Sequence, residues 1–430
     1  MLENLNTQNL ISDSVDPTKK LHPRHSFTVQ WLLSSLREND ETYQILHGSK
    51  PVKDITASDV SEGKGFVSIV LRCIVTFVNS SDSYTTILKI PGFDSFVEVA
   101  QQQSNNDEKK VVTETIKETF ARFHQAECLF YNELANILQP PIPKVFKTEA
   151  WILDEKEGCL HMEDLTKSGK ILGYFDNLSM AKIKDFVGHL ARMHKNILTT
   201  DPKIWKGKYL IGQKAMVDYL DFLPARCESF LENCKRIDQF KPIFDKYSKF
   251  MINRDYYLYV EKQAYIDLGL LPVIVHGDAY GGNVMYAIDK DGKVCDKISA
   301  LIDWQLMHEG SPMEDLARFL VQCCDGILRR KAETCIFEYY LECLEKEFGD
   351  DKTKVPYTLE KLKKAYKYSF IAQAFFIPSY EIALNATSDD ASEIKKANHE
   401  FGVSKAFDAL QDVDQILQGE LKTFFEKYNC

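Results

Sequence analysis

His276, Asp278, Asn283 and Asp303 are the residues of this chain best placed to do chemistry together. Three of them fall in His276-Gly-Asp278-Ala-Tyr-Gly-Gly-Asn283, directly after the apolar run Leu270-Leu-Pro-Val-Ile-Val275. Twenty residues after Asn283, a second apolar run, Ile298-Ser-Ala-Leu-Ile302, ends in Asp303-Trp304. Moving a γ-phosphoryl group requires one carboxylate facing an acceptor hydroxyl and hard oxygen ligands facing Mg²⁺. Asp278 suits the first task. Asn283 lies across a turn loosened by Gly281 and Gly282 and can offer an amide oxygen to the metal; Asp303 supplies the second ligand. His276 reads as a residue that shapes the loop. Residues 284–288 and 294–302 read as a hairpin turned by Asp289-Lys-Asp-Gly292, which would make the two carboxylates neighbours.

The N-terminal half must supply the nucleotide side. Residues 65–78 and 83–90 are rich in Val, Ile, Thr and Phe and read as strands of a small antiparallel sheet. Before the first comes Ser61-Glu-Gly63-Lys-Gly65-Phe-Val-Ser68, a hairpin whose glycines would let backbone N–H groups approach phosphates, although a plain Gly-rich β-turn has the same composition. Lys89 ends the second strand. In the next helix Ile116, Phe120, Phe123, Phe130, Leu134 and Ile137 fall on one stripe at 3.6-residue spacing, and Glu127 lies in the middle of it. A carboxylate in an apolar seam needs a cation, and Lys89 is the expected partner; Glu118 and Glu133 lie off the seam. A first stretch to about Pro51 reads as an appended helix with a flexible start. After Pro140-Pro-Ile-Pro143, Cys159-Leu-His-Met162-Glu163-Asp164-Leu165 reads as a strand leaving the first lobe. The helix of residues 179–197 carries His194 on its apolar face, a core histidine. Ser311-Pro-Met-Glu314 has the form of a capping box with Pro at the first helical position, opening a helix that carries Asp315, Leu316, Phe319 and Leu320.

His276-Gly-Asp278…Asn283, Ile302-Asp303-Trp304-Gln305 and Gly310-Ser-Pro-Met-Glu-Asp315-Leu-Ala together resemble the aminoglycoside phosphotransferase and choline kinase superfamily. Their wording is most similar to its CHK-kinase-like, ecdysteroid-kinase-like branch, over about residues 50–420. The resemblance implies an α+β, two-lobed protein-kinase-like fold: a small antiparallel-sheet lobe with one long helix, and a larger, mainly helical lobe. It implies an N-terminal extension (1–50), a nucleotide-binding lobe and hinge (51–165) and a catalytic and substrate-binding lobe (166–430). It implies ATP and Mg²⁺ as cofactors, with Asp278, Asn283 and Asp303 catalytic and the last two holding metal. Gly63, Gly65, Ser68, Lys89 and Glu127 would address the phosphates, and Met162, Glu163 and Leu165 the adenine. For Asp315 it implies a brace on the catalytic-loop backbone, beside the capping role its position suggests.

The whole chain is consistent with that scale. Its 430 residues, 44% apolar, suffice for two lobes with sizeable cores. A net charge of −10 argues against nucleic acid and anionic membrane as partners. No stretch approaches the ~20 apolar residues of a membrane helix, and Met1-Leu-Glu-Asn-Leu-Asn lacks the pattern of a secretory leader. Eleven cysteines without a C-x-x-C pair point to neither zinc nor a disulfide framework, so a reducing cytoplasm is the expected compartment. The C-terminal aromatics Tyr366, Tyr368, Phe370, Phe375, Phe376 and Tyr380, broken by Pro378, read either as core or as an apolar acceptor pocket facing Asp278. The expected partner is a small hydroxyl acceptor, lipophilic or glycosidic. Choline or ethanolamine kinase activity and a catalytically silent nucleotide-binding scaffold are the alternatives, and the sequence is silent on oligomeric state.

Overall fold

The computed structural model describes residues 13–61, 68–93, 114–173, 176, 178–386 and 393–429. The proposed phosphate-loop residues Gly63 and Gly65 lie outside them, whereas Ser68 begins a strand. The chain divides into two compact units, Met1–Cys128 with Pro143–Leu165, and Leu129–Ile142 with Thr166–Cys430.

The smaller unit is built on five antiparallel strands: β1 (Val52–Asp59), β2 (Ser68–Phe77), β3 (Ser83–Pro91), β4 (Val145–Glu149) and β5 (Cys159–Glu163), in the order β1-β2-β3-β5-β4. Burial along β2 alternates from Leu71 through Cys73 and Val75 to Phe77, the period-two signature of a strand with one face on a core. That core is completed by two helices, α1 (Val29–Asn39) and α2 (Glu41–His47), through Leu32, Leu36 and Tyr43. Thr28 caps α1 and Asp40 caps α2 by accepting from backbone N–H groups. One long helix, α3 (Glu114–Leu129), follows β3 in the described chain and buries Phe120, Phe123 and Glu127.

The larger unit is mainly helical. Its principal helices are α4 (Met180–Thr199), α5 (Arg254–Lys262), α6 (Glu314–Cys323), α7 (Ile336–Glu347), α8 (Leu359–Ala386) and α9 (Glu393–Gln418). Two small sheets carry the chemistry-bearing loops. β7 (Val273–Val275) pairs with β10 (His308–Gly310), and β6 (Gly169–Ile171), β8 (Val284–Ile288) and β9 (Val294–Leu301) form a three-stranded sheet. The β8–β9 hairpin expected from the sequence is present, its turn tied by Asp289 Oδ1 accepting from the N–H groups of Asp291 and Lys293. A small antiparallel-sheet lobe with one long helix and a larger helical lobe make up the α+β, two-lobed kinase-like fold. Among the described residues no helix is long and apolar enough to cross a membrane.

Two local readings need correction. The helix expected to open at Pro312 starts at Glu314, with Met313 at its cap position and no side-chain cap. Ser311 instead closes a turn, its carbonyl accepting from Glu314 N at 3.1 Å, and Glu314 turns to His308. Pro378 does not break its helix; α8 runs through it to Ala386. Flanking residues from Leu362 to Ile377 are packed in the core, and tertiary burial outweighs the local cost of a proline.

Candidate functional site

Two polar clusters stand out, one in each unit. In the smaller unit Lys89 projects from β3, whose register sets it opposite Val70 and Leu160. Its Nζ donates to Glu127 Oε2 at 2.7 Å, with the Glu127 side chain only 3% exposed. A carboxylate so buried is tolerable when a cation meets it, so the pairing follows from the seam position of Glu127 on α3. Met162 lies in β5 between Ile87 and Val145, and its carbonyl accepts from Thr86 Oγ1 at 2.8 Å. Glu163 ends the strand and bonds Lys144 through its backbone N–H, beyond which the chain leaves for Leu165. Ser68, at the other end of the sheet, pairs with Pro91.

In the larger unit the loop after β7 folds around Asp315. This carboxylate, on the first turn of α6, accepts from His276 N at 2.8 Å and Gly277 N at 2.9 Å. Burial, then the nearby Glu314 charge, pushes the Asp315 carboxyl up to about 7. Gly277 has φ +76°, and a Cβ there would stand 2.2 Å from the Leu306 carbonyl oxygen, so only glycine fits this bend. His276 is buried, its Nε2 2.9 Å from the Ile302 carbonyl and its ring packed on Trp304 at 4.4 Å. Burial holds it down at about 4, neutral at ordinary pH, which suits a structural part. Trp304 stacks in turn on Phe130 at 3.7 Å and 4°.

Asp278 is 8% exposed and gripped at both oxygens. Asn283 Nδ2 donates to its Oδ2 at 3.1 Å and to its carbonyl at 3.0 Å, while Arg318 of α6 donates to Oδ1. Burial raises the Asp278 carboxyl to about 6; the Arg318 charge opposes that rise and Asp303 adds to it. The β8–β9 hairpin carries Asp303 back to the loop: Ile302 N donates to the Asn283 carbonyl at 3.0 Å, and Asp303 adopts a left-handed φ of +66°. Asp278, Asn283 and Asp303 are thus assembled by one loop and one hairpin. The Asn283 amide nitrogen is engaged by Asp278, so a cation at Asn283 would have to be met by the amide oxygen. That oxygen and the Asp303 carboxylate are hard donors and fit Mg²⁺, which takes one or two protein oxygens and completes its shell with water and phosphate.

Arg318 was not singled out from the sequence, although the signal was there: a guanidinium one turn after Asp315 within the apolar seam Leu316-Ala-Arg318-Phe-Leu320. It is 6% exposed and held by Gln373 Oε1 at 3.1 Å and Tyr380 Oη at 2.8 Å, both on α8. The C-terminal aromatics divide accordingly. Tyr366, Phe370 and Phe375 lie in the core, whereas Phe376 and Tyr380 line a cavity with Arg318. His194 donates to or accepts from Tyr340 Oη at 2.8 Å deep in the core, as a packing histidine should.

A Caenorhabditis elegans protein named "Uncharacterized oxidoreductase dhs-27" is 24% identical over 372 residues, 86% of this chain. The chain spans 44% of the length of that curated relative. Among solved structures, a Ralstonia eutropha protein assigned as an aminoglycoside phosphotransferase is 14% identical, covering 89% of this chain and 98% of its own at a TM-score of 0.44. A macrolide 2'-phosphotransferase, MphH of Brachybacterium faecium, is 11% identical over 85% and 96% of the two chains, at a TM-score of 0.38. The fold assignment rests on the strand order and lobes of this chain itself. A family model described as "Uncharacterized oxidoreductase dhs-27" (DUF1679) matches residues 40–420, a span that takes in every polar group of both clusters, and the chain belongs to that family.

Proposed function

We propose that this chain is an ATP-dependent small-molecule kinase that phosphorylates a hydroxyl of a small, lipophilic or glycosidic molecule. The observation that carries the reading is the Asp278 constellation: a buried carboxylate fixed by Asn283 and Arg318, with Asp303 returned to the same loop by a hairpin. Asp278 accepts or orients the acceptor hydroxyl proton. Burial lifts its carboxyl above the usual aspartate range, which makes it a stronger base than a free aspartate. Asn283 and Asp303 hold Mg²⁺, which when bound neutralises phosphate charge. Lys89, positioned by Glu127, addresses the α- and β-phosphates; Gly63 and Gly65, which lie outside the described residues, and Ser68 at the start of β2 are assigned to the phosphates as well. The backbone leaving β5 through Glu163 to Leu165, next to Met162, receives the adenine.

The oxidoreductase in the relative's name belongs to a protein more than twice as long as the matched stretch. Strand pairs among the described residues of this chain are antiparallel, whereas a dinucleotide-binding oxidoreductase domain is built on parallel βαβ units. Phosphotransferases acting on aminoglycosides and macrolides are among the structures it resembles in outline, which agrees with a small-molecule acceptor. The test is to incubate the protein with Mg·ATP and metabolite extracts and follow phosphorylated products by mass spectrometry. New phosphorylated species that require the protein support the reading; their absence across chemically diverse extracts counts against it.

A further inference from the structure

A narrow cavity runs into the larger unit beside the Asp278 loop, bordered by Gly277, Tyr219, Phe376, Tyr380, Arg318 and Glu261. Tyr219, at the rim, is 44% exposed, whereas Arg318 and Glu261 are 6% and 3% exposed and form the floor. Its room is about 30 Å³, enough for one small polar group. Two floor atoms, Arg318 Nε and Glu261 Oε2, are buried without a hydrogen-bond partner among the described residues. A buried donor or acceptor left unmade carries its full desolvation cost, so both atoms call for a partner. The other ionic groups on the wall are already engaged. His308 Nε2 lies 3.1 Å from Glu314 Oε1, and the terminal nitrogens of Arg318 are held by Asp278, Gln373 and Tyr380.

A group that met both needs would accept from Arg318 Nε–H and donate to Glu261. An ammonium would suit Glu261 but meet the guanidinium. A carboxylate or phosphate would suit Arg318 but meet the Glu314 carboxylate. A neutral hydroxyl does both. Burial, then the Glu314 charge, pushes the Glu261 carboxyl well above its usual range, and a hydroxyl, being donor and acceptor at once, serves the protonated acid equally. The ring faces of Tyr219, Phe376 and Tyr380 suit the apolar body that would carry it.

We propose that this cavity is an acceptor subsite that takes a second, uncharged hydroxyl of the molecule phosphorylated at Asp278. The acceptors are then neutral diols or polyols on a ring scaffold, and not amines. The place of the subsite in a reaction rests on the phosphotransferase reading; its binding chemistry does not.

Three ring probes test it on the full chain without nucleotide: cyclohexanol, vicinal cyclohexanediol and the protonated vicinal aminocyclohexanol, titrated by ligand-observed NMR. The diol should bind the unaltered chain more tightly than the mono-ol by roughly threefold to tenfold, the gain from one net hydrogen bond, and the amine should bind no better than the mono-ol. Glu261→Leu should erase the preference for the diol and Glu261→Gln should retain it, with circular dichroism confirming that each variant is folded. Equal binding of diol and mono-ol, tightest binding of the amine, or binding of none of the three, which would leave the floor to an ordered water alone, each overturns the proposal. A chain that prefers the diol yet transfers no phosphate from Mg·ATP keeps the subsite and loses the kinase reading. A chain that phosphorylates hydroxyls without preferring the diol does the reverse.

Discussion

At the scale of single residues, the proposed chemistry rests on Asp278, with Asn283 and Asp303 as the proposed metal ligands. An Asp and an Asn five positions apart after an apolar strand, and an Asp at the end of a second strand, are the pattern from which the sequence suggests phosphate and metal chemistry. The structure adds what spacing could not give: Asp278 is held by Arg318 as well as Asn283, and Asp303 sits in a left-handed turn. Arg318 escaped notice because its partner lies 40 residues away in sequence; the buried-charge argument applied to Glu127 would have flagged it. If Asn283 and Asp303 hold the metal, Asp303→Ala should lower Mg·ATP affinity at least tenfold by calorimetry, while metal-free nucleotide binding changes little. An unchanged Mg·ATP affinity in a folded Asp303→Ala protein would remove Asp303 from the metal site.

At the scale of elements, periodicity read well and termini read poorly. The β2 and β3 strands, the β8–β9 hairpin and α3 were visible because alternation or a 3.6-residue stripe persisted over many residues. The start of α6 was misplaced because Ser311-Pro-Met-Glu314 satisfies the local rule for a cap while the long-range pull of His308 on Glu314 decides otherwise. The coupling of β3 to α3 through Lys89 and Glu127 is open to a double-mutant cycle. Lys89→Met leaves a carboxylate buried in the seam and should destabilise the protein by roughly 3–5 kcal/mol, and adding Glu127→Gln should recover part of that loss. Strict additivity in the unfolding free energies would mean that the two side chains do not support each other.

At the scale of the whole molecule, composition and length pointed to two cored lobes, and two compact units are present. The choice of acceptor was out of reach of the sequence, since it depends on which groups from α5, α6 and α8 meet around one cavity. The same region should mark the protein's stability against pH. Burial pushes the His308 pKa down, but the Glu314 carboxylate outweighs it and raises the imidazole from 6.5 to about 9. A base whose pKa is raised on folding contributes stability that is complete below the unfolded value and lost as pH climbs through the folded one. Denaturant unfolding should therefore show stability falling between pH 6.5 and about 9, with a flatter profile in His308→Gln; parallel profiles would mean that His308 is not charged in the fold. The central claim, that Asp278 serves phosphoryl transfer, is tested most directly by comparing the intact protein with Asp278→Asn on the first acceptor identified. Turnover should fall by roughly 10²–10⁴-fold with Mg·ATP affinity nearly unchanged, whereas equal turnover in the two proteins would contradict the account.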